Sequence, residues 1–249
     1  MPRLMLTDEL WSKLWPIMSQ NGIYDKPDLR HTTEGILYKM RVGCPWRDLP
    51  QEHWSWKKVY SRFNDWSKYD KLKSIFLKLV FEPDMEWKII DGSVVKAHQH
   101  ACGARKDAES GIGKTAGGNS SKIHMVVDSH ANPIDFEITE GQVHDIKMAP
   151  ELIERTPHST YTIADKGYDG EYLRWVIRGT KSIPVIPRKE NSKIGNTNLD
   201  KTAYRERYKV ENIFARLKHY RSIATRFDKL KRNYKSMLSL ACAYIWLKL

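Results

Sequence analysis

Residues 204–218 read Tyr204-Arg-Glu-Arg207-Tyr-Lys-Val-Glu211-Asn-Ile-Phe-Ala-Arg-Leu-Lys218, a spacing of Y-x2-R-x3-E-x6-K. On an α-helix, at about 100° per residue, Arg207 falls roughly 60° from Tyr204, Glu211 about 20° and Lys218 about 40°, all displaced in one direction. One carboxylate therefore shares a narrow stripe with two cations and a phenol. Val210, Ile213, Phe214 and Leu217 form an adjoining apolar face, so the stripe borders the buried side, where a metal or phosphate site can be built. Arg205, Lys209, Arg216 and His219 are expected to face outward. An Arg–Glu pair at i,i+4 is also an ordinary surface ion pair, worth about 0.2–0.5 kcal/mol. That reading accounts for neither Tyr204 nor the strand acids described below.

The chain has 249 residues, enough for one large domain or two smaller ones with real cores. Its formal charge of +12 and isoelectric point near 9.5 predict a polyanionic partner, because Lys and Arg that neutralise phosphates release condensed counterions. Nucleic acid is the expected partner and anionic membrane its rival. No window approaches the roughly 20 apolar residues needed to cross a bilayer, and the run Met237–Leu247 reads as a buried terminal helix. Thr7-Asp8-Glu9 interrupts what would have to be the apolar core of a signal peptide, so none is expected. Cys44, Cys102 and Cys242 lie far apart and are odd in number, which excludes a CxxC zinc site and argues against a disulfide framework. A reducing cytoplasm follows as the default.

Residues 1–82 read as helical. Thr7 can cap a helix over Asp8–Met18, and Asp28 one that runs through Met40 to a stop at Gly43 and Pro45. Two more helices are expected over Trp56–Ser67 and Lys71–Phe81, with Leu14, Trp15, Ile36, Leu37, Phe63 and Phe76 among the apolar positions at helical spacing. Glu82-Pro83-Asp84 marks a boundary, after which residues 83–249 form a second domain. There Trp87–Val95, Lys122–Asp128 and Pro133–Thr139 are short β-branched runs that suggest an antiparallel meander. A helix over Ile146–Glu154, a strand over Tyr161–Asp165, a helix over Glu171–Arg178 and a strand over Ser182–Ile186 alternate as parallel crossover units do. The Tyr204–Lys218 stretch and a helix over about Lys229–Lys248 complete the chain.

Asp91 ends the run Ile89-Ile90 and precedes Gly92; Asp165 ends Ile163-Ala164 and precedes Lys166-Gly167. A carboxylate at the end of an apolar strand is costly to bury unless it is paired or holds a cation. Asp-Gly is also a common hairpin dipeptide, and Asp165 can equally cap a loop. Taken with Glu211, the two acids form an all-oxygen set suited to hard cations such as Mg²⁺ or Mn²⁺, two of which can activate one oxygen and stabilise the leaving one in phosphoryl transfer.

In type and spacing, Tyr204, Arg207, Glu211 and Lys218 resemble the DDE transposases of bacterial insertion sequences, in the group with a Y-R-E-K signature and its insertion-sequence-five-like members. Cys44-Pro-Trp46-Arg-Asp-Leu-Pro50, Asp91-Gly-Ser, Gly117-Gly-Asn-Ser-Ser-Lys122-Ile-His124, Gly141-Gln-Val-His144-Asp145 and Ala164-Asp165-Lys-Gly-Tyr168-Asp169 continue the resemblance in order over nearly the whole chain. It implies an α/β catalytic domain with a ribonuclease-H-like mixed five-stranded sheet flanked by helices, preceded by an all-helical DNA-binding domain. Asp91, Asp165 and Glu211 would be the catalytic triad holding two Mg²⁺ or Mn²⁺ ions, with Tyr204, Arg207 and Lys218 on phosphates of the transposon end. The implied activity is cleavage at the element's ends and transfer of the freed 3′-hydroxyl into target DNA, by a homodimer or larger assembly on double-stranded DNA in the bacterial cytoplasm, near the nucleoid and away from membrane. Relatives with a β-rich insertion before the glutamate helix use it on a hairpin intermediate; here only Arg188–Lys201 occupies that place, so the resemblance does not fix how the second strand is cut.

Other signals are weaker. Gly113-Lys114-Thr115 invites a phosphate-loop reading, but the required Gly falls at Ala108 and a strand rather than a helix follows. The segment 101–121 reads instead as a mobile loop, with Arg105, Lys106 and Lys114 available to DNA, as is Lys122 beyond it. In the helical domain Arg47, Lys57, Lys58 and Arg62 are the candidate phosphate contacts, interleaved with aromatics. His144 can stand behind the catalytic acids, although a cap on the following helix through Asp145 is the favoured reading of that dipeptide. The rival function is a catalytically vestigial DNA-binding protein, a repressor of its own element; a metal nuclease without strand transfer shares the same site.

Overall fold

A computed structural model describes residues 3–103 and 109–249. Arg105 and Lys106, two of the expected DNA contacts, lie outside the described residues. The chain divides into two compact units: Met1–Phe81, Lys96–Ser110 and Leu217–Leu249 form the first, and Glu82–Val95 with Gly111–Arg216 the second.

The first unit is helical. Helix α1 (Asp8–Gln20) starts where Thr7 Oγ1 accepts the Leu10 amide at 3.2 Å, as its sequence predicts. Helix α2 (Leu29–Val42) ends at Gly43, whose φ of 74° suits a left-handed terminus. Asp28 does not cap it through its side chain as expected; its carboxylate is drawn away by Lys58 at 2.5 Å and Arg62 at 2.9 Å, which hold its pKa down at about 2. Helices α3 (Trp56–Lys68) and α4 (Lys71–Leu79) follow, the latter ending two residues earlier than predicted. Leu14, Ile36, Leu37, Phe63 and Phe76 are buried as expected, whereas Trp15 is 38% exposed.

In the second unit, β1 (Trp87–Lys96), β2 (Gly113–Thr115), β3 (Gly118–Val127), β4 (Pro133–Glu140), β5 (Tyr161–Ile163) and β6 (Ile183–Val185) make one mixed sheet of six strands, not five. Their order is β2-β3-β1-β5-β6, with β4 also paired to β3. The extra strand comes from the stretch read as a loop: β2 and the start of β3 form an antiparallel hairpin in which Lys114 faces Asn119 across the ladder. The β3–β4 pair is antiparallel, and β1–β5 and β5–β6 are parallel, as the alternation with α5 (Ala149–Arg155) and α6 (Glu171–Gly179) predicts. Ile89, Ile90, Met125, Phe136, Leu152, Ile163 and Ile177 fill the core between sheet and helices.

The opening stretch is not one helix. It is split into α7 (Lys201–Arg205) and α8 (Tyr208–Lys218), joined by tight i→i+3 bonds from Arg207 N to Tyr204 O at 3.1 Å and from Val210 N to Arg207 O at 3.2 Å. Helices α9 (Arg221–Ala224) and α10 (Lys231–Leu247) then belong to the first unit. The change of pattern at Glu82 does coincide with a unit boundary, but two contiguous domains do not describe the chain. The reason is α10, apolar on nearly every side, which packs against α3 and α4.

Candidate active site

The register of the two central parallel strands places the first two acids. Ile89 of β1 lies opposite Ile163 of β5; Asp91 follows two residues later within β1 and Asp165 two residues later, just past the end of β5, near enough for its charge to act on Asp91. Asp91 is inside β1, so Asp91-Gly92 is not a hairpin turn. Its Oδ1 accepts the Gly92 amide at 2.7 Å, and burial pushes its carboxyl up to about 6, with the charges of Asp165 and Asp145 adding to the rise and Gly92 and Arg207 opposing it. Asp165 Oδ1 accepts the Gly167 amide at 2.7 Å and so caps the 3₁₀ turn Lys166–Tyr168, the local role its sequence allowed.

The third acid reaches the strands through a cation. Arg207, at the joint between α7 and α8, donates from Nη1 to Asp91 Oδ2 at 2.9 Å and from Nη2 to Glu211 Oε1. Burial of the guanidinium works against its charge, but Asp91, Glu211 and Tyr204 outweigh that and raise its pKa. Glu211 itself is exposed, with Val210, Ile213, Phe214 and Leu217 buried beside it, as the helical face predicts. Lys209, expected to face outward, instead lies over Trp87 at 4.6 Å and donates to the Ser129 carbonyl at 2.8 Å. Lys218 is exposed at the end of α8 and belongs to the first unit.

A further acid, Asp145, joins this cluster. It was expected to cap α5, but its Oδ2 lies 3.2 Å from Lys122 Nζ and its Oδ1 3.6 Å from His124 Nδ1. A Cβ at Gly92 would meet Asp145 Oδ1 at 2.0 Å, so glycine is what lets this carboxylate approach the strand beside Asp91. Burial holds His124 down at about 4, hence neutral at physiological pH, with its Nε2 paired to Thr139 Oγ1 at 2.8 Å. Tyr168 is buried with its hydroxyl unpaired; desolvation first, then the charges of Asp145, Asp91 and Asp165, raise its pKa strongly. His144, the residue expected behind the acids, is exposed. The signal that could have found Asp145 is Gly92, read as a close approach rather than a turn.

The candidate phosphate contacts divide by engagement. Lys122 is 12% exposed and donates to the Val143 carbonyl at 2.8 Å as well as to Asp145, so it serves the acid cluster rather than the open surface. Lys58 and Arg62 neutralise Asp28. Arg47, Lys57 and Lys114 are exposed, the first two over the Trp56 ring at 5.4 and 5.9 Å.

Asp91 inside β1, Asp165 just past β5 and Glu211 on α8, the first two half-buried, sit in a basic chain, and comparison with known proteins identifies its family. Residues 82–246 match the family described as "Transposase DDE domain", and residues 6–76 match "Putative transposase of IS4/5 family". The chain belongs to the DDE transposases of insertion sequences, whose members carry out DNA transposition. It is 33% identical over 133 residues to "Putative transposase for insertion sequence element IS6501" of Brucella ovis, covering 52% of this chain and 99% of that protein. It is 30% identical over 127 residues to "Transposase for insertion sequence element IS1106" of Neisseria meningitidis serogroup B, covering 49% of this chain and 44% of that one. Among solved structures it resembles the piggyBac transposase synaptic complex with hairpin DNA, with a TM-score of 0.53 at 8% identity, over 96% of this chain and 72% of that one. No helix among the described residues is long and apolar enough to cross a membrane.

The residues present fit a hard divalent cation in kind. The donors are carboxylate oxygens, and a positive charge already lies between two of them in the form of Arg207. Among the described residues, however, no three acidic, His or Cys side chains are gathered closely enough to share one ion.

Proposed function

We propose that this chain cuts DNA at the ends of its insertion sequence and joins the freed 3′-hydroxyl to target DNA, on a ribonuclease-H-like sheet with Asp91, Asp165 and Glu211 as its catalytic acids. The observation that carries this is the register of β1 and β5, which sets Asp91 and Asp165 side by side just past Ile89 and Ile163, with Glu211 tied to Asp91 through Arg207. Mg²⁺ or Mn²⁺, as two ions held by the three carboxylates, would supply an activated attacking oxygen and a stabilised leaving one. Arg207 presents a planar guanidinium that can exchange carboxylates for a phosphate of the transposon end, with Tyr204 beside it. Lys122 keeps Asp145 beside β1 and offsets part of the negative charge there. Arg47, Lys57 and Lys114, and Lys218 on the first unit, bind the backbone of the terminal repeats and target, in a homodimer or larger assembly in the cytoplasm close to the nucleoid.

The test is strand transfer in Mg²⁺ or Mn²⁺ with the element's own ends. Asp91→Asn, Asp165→Asn and Glu211→Gln are each expected to lower the rate by at least about 100-fold; wild-type activity in all three would sink the reading. One observation favours a catalytically vestigial repressor instead: Arg207 bridges two of the acids as a built-in counter-ion. Calorimetry separates the two, because a repressor would bind DNA and take up no divalent cation.

A further inference from the structure

Helix α6 packs on β6 and α5 through buried Leu173, Arg174, Val176 and Ile177, and turns Tyr172 and Trp175 outward at 67% and 68% exposure. The two rings stack on each other at 6.1 Å between centres. Scattered exposed apolar side chains need no explanation, but an aromatic pair already held in place on one helix face is the kind of anchor that protein interfaces use. The neighbouring strand β6 is the outer strand of the sheet, yet it has only three residues with Pro184 at its centre, a poor template for edge pairing. The helix face is therefore the part of this side that a partner can engage.

The pattern on that face selects the partner. At about 100° per residue, and measured from Trp175, Glu171 and Arg178 lie about 40° and 60° to one side, while Tyr172 and Gly179 lie about 60° and 40° to the other. Each side thus carries two complementary elements, one near either end of the helix. A second α6, antiparallel across a two-fold axis beside Trp175, sets Trp175 against the partner's Trp175 and Glu171 against the partner's Arg178. It also lays Tyr172 over the partner's Gly179, where nothing lies within 4 Å of the place a Cβ would occupy. Glu171 pairs with Arg188 of its own chain and keeps its side chain 64% exposed, and Arg178 is exposed. DNA would meet repulsion from Glu171 on this face, whereas a copy of the same helix satisfies every element of it, as an isologous contact requires.

We propose that the exposed face of α6 binds a second copy of this chain, forming a two-fold dimer centred on Trp175 without need of DNA or metal. Sedimentation equilibrium of the full chain in EDTA at physiological salt tests it, with circular dichroism to check that each variant is folded. Wild type is expected to dimerise. Glu171→Arg and Arg178→Glu each bring like charges together twice, and either alone should weaken the dimer at least about 10-fold. An equimolar mixture of those two variants restores both opposite-charge pairs and should recover the wild-type affinity, a rescue that a merely structural role of either residue would not give. Trp175→Ala and Gly179→Gln remove no ion pair and should each weaken the dimer at least about 10-fold as well, so they carry the test if a charge reversal impairs folding. A monomeric wild type, a mixture of folded variants no tighter than either alone, or a dimer that tolerates both Trp175→Ala and Gly179→Gln overturns the proposal. The interface rests on this face and not on the transposase reading. A dimer in a chain that fails strand transfer would refute only that reading, and a monomer that transfers strands would refute only this one.

Discussion

At the residue scale, Asp91 and His124 make opposite demands on pH. Burial raises the Asp91 carboxyl from 3.8 to about 6, so between those values the folded chain holds a proton that the unfolded chain has released. Stability therefore falls as pH rises through that window, by about 3 kcal/mol when the shift is complete. Asp91→Asn removes this penalty, and in metal-free buffer the variant should melt a few degrees above wild type at pH 7.5 and no higher at pH 4, read by calorimetry. His124 runs the other way. Its pKa falls from 6.5 to about 4, so the unfolded chain is the one that gains a proton, and the stability present above pH 6.5 is lost as pH falls through 4. His124→Gln should flatten urea stability over that acid range. Asp91, Asp165 and Glu211 were legible as candidates because acids in or beside apolar runs stand out. Asp145 was not, because His-Asp ahead of a helix looks the same whether the aspartate caps it or turns toward Lys122.

At the element scale, the closeness of β1 to the Asp145 turn makes Gly92 a sharp probe. Gly92→Ala puts a Cβ against Asp145 Oδ1, so the Asp145 carboxylate must swing away from Lys122; about 1–3 kcal/mol of destabilisation and a fall in strand-transfer rate are expected even though Asp91 is intact. Thr7→Ala, which deletes the α1 cap in the first unit, should cost about 1 kcal/mol in urea unfolding and leave the strand-transfer rate unchanged. Most helices and five strands were readable from periodicity and caps. The hairpin β2–β3 was not, because Gly, Lys and Ser give no alternating apolar signal and it is held by ladder pairing together with hydroxyl bonds of Thr115 and Ser121. The break between α7 and α8 was hidden for a different reason. No Gly or Pro marks it, and only the tight turn at Glu206-Arg207 gives it away.

At the scale of the whole molecule, the charge of +12 predicts steep salt dependence: if the chain neutralises six to ten phosphates, DNA affinity should fall about 10³- to 10⁵-fold between 50 and 200 mM salt, measured by anisotropy. The division into units was only half legible, since composition marks the change at Glu82 but cannot say that α10 pairs with helices more than 150 positions earlier. The first unit is thus built from both ends of the chain, and time enters its assembly. During synthesis at about 5–20 residues per second, everything needed for the sheet and its acids has been made about 2–7 s before Leu249 is added. The apolar faces of α1 to α4 wait through that interval for their final partner. A gene copy interrupted ahead of α10 would therefore encode a product with all three acids and an unfinished helical unit.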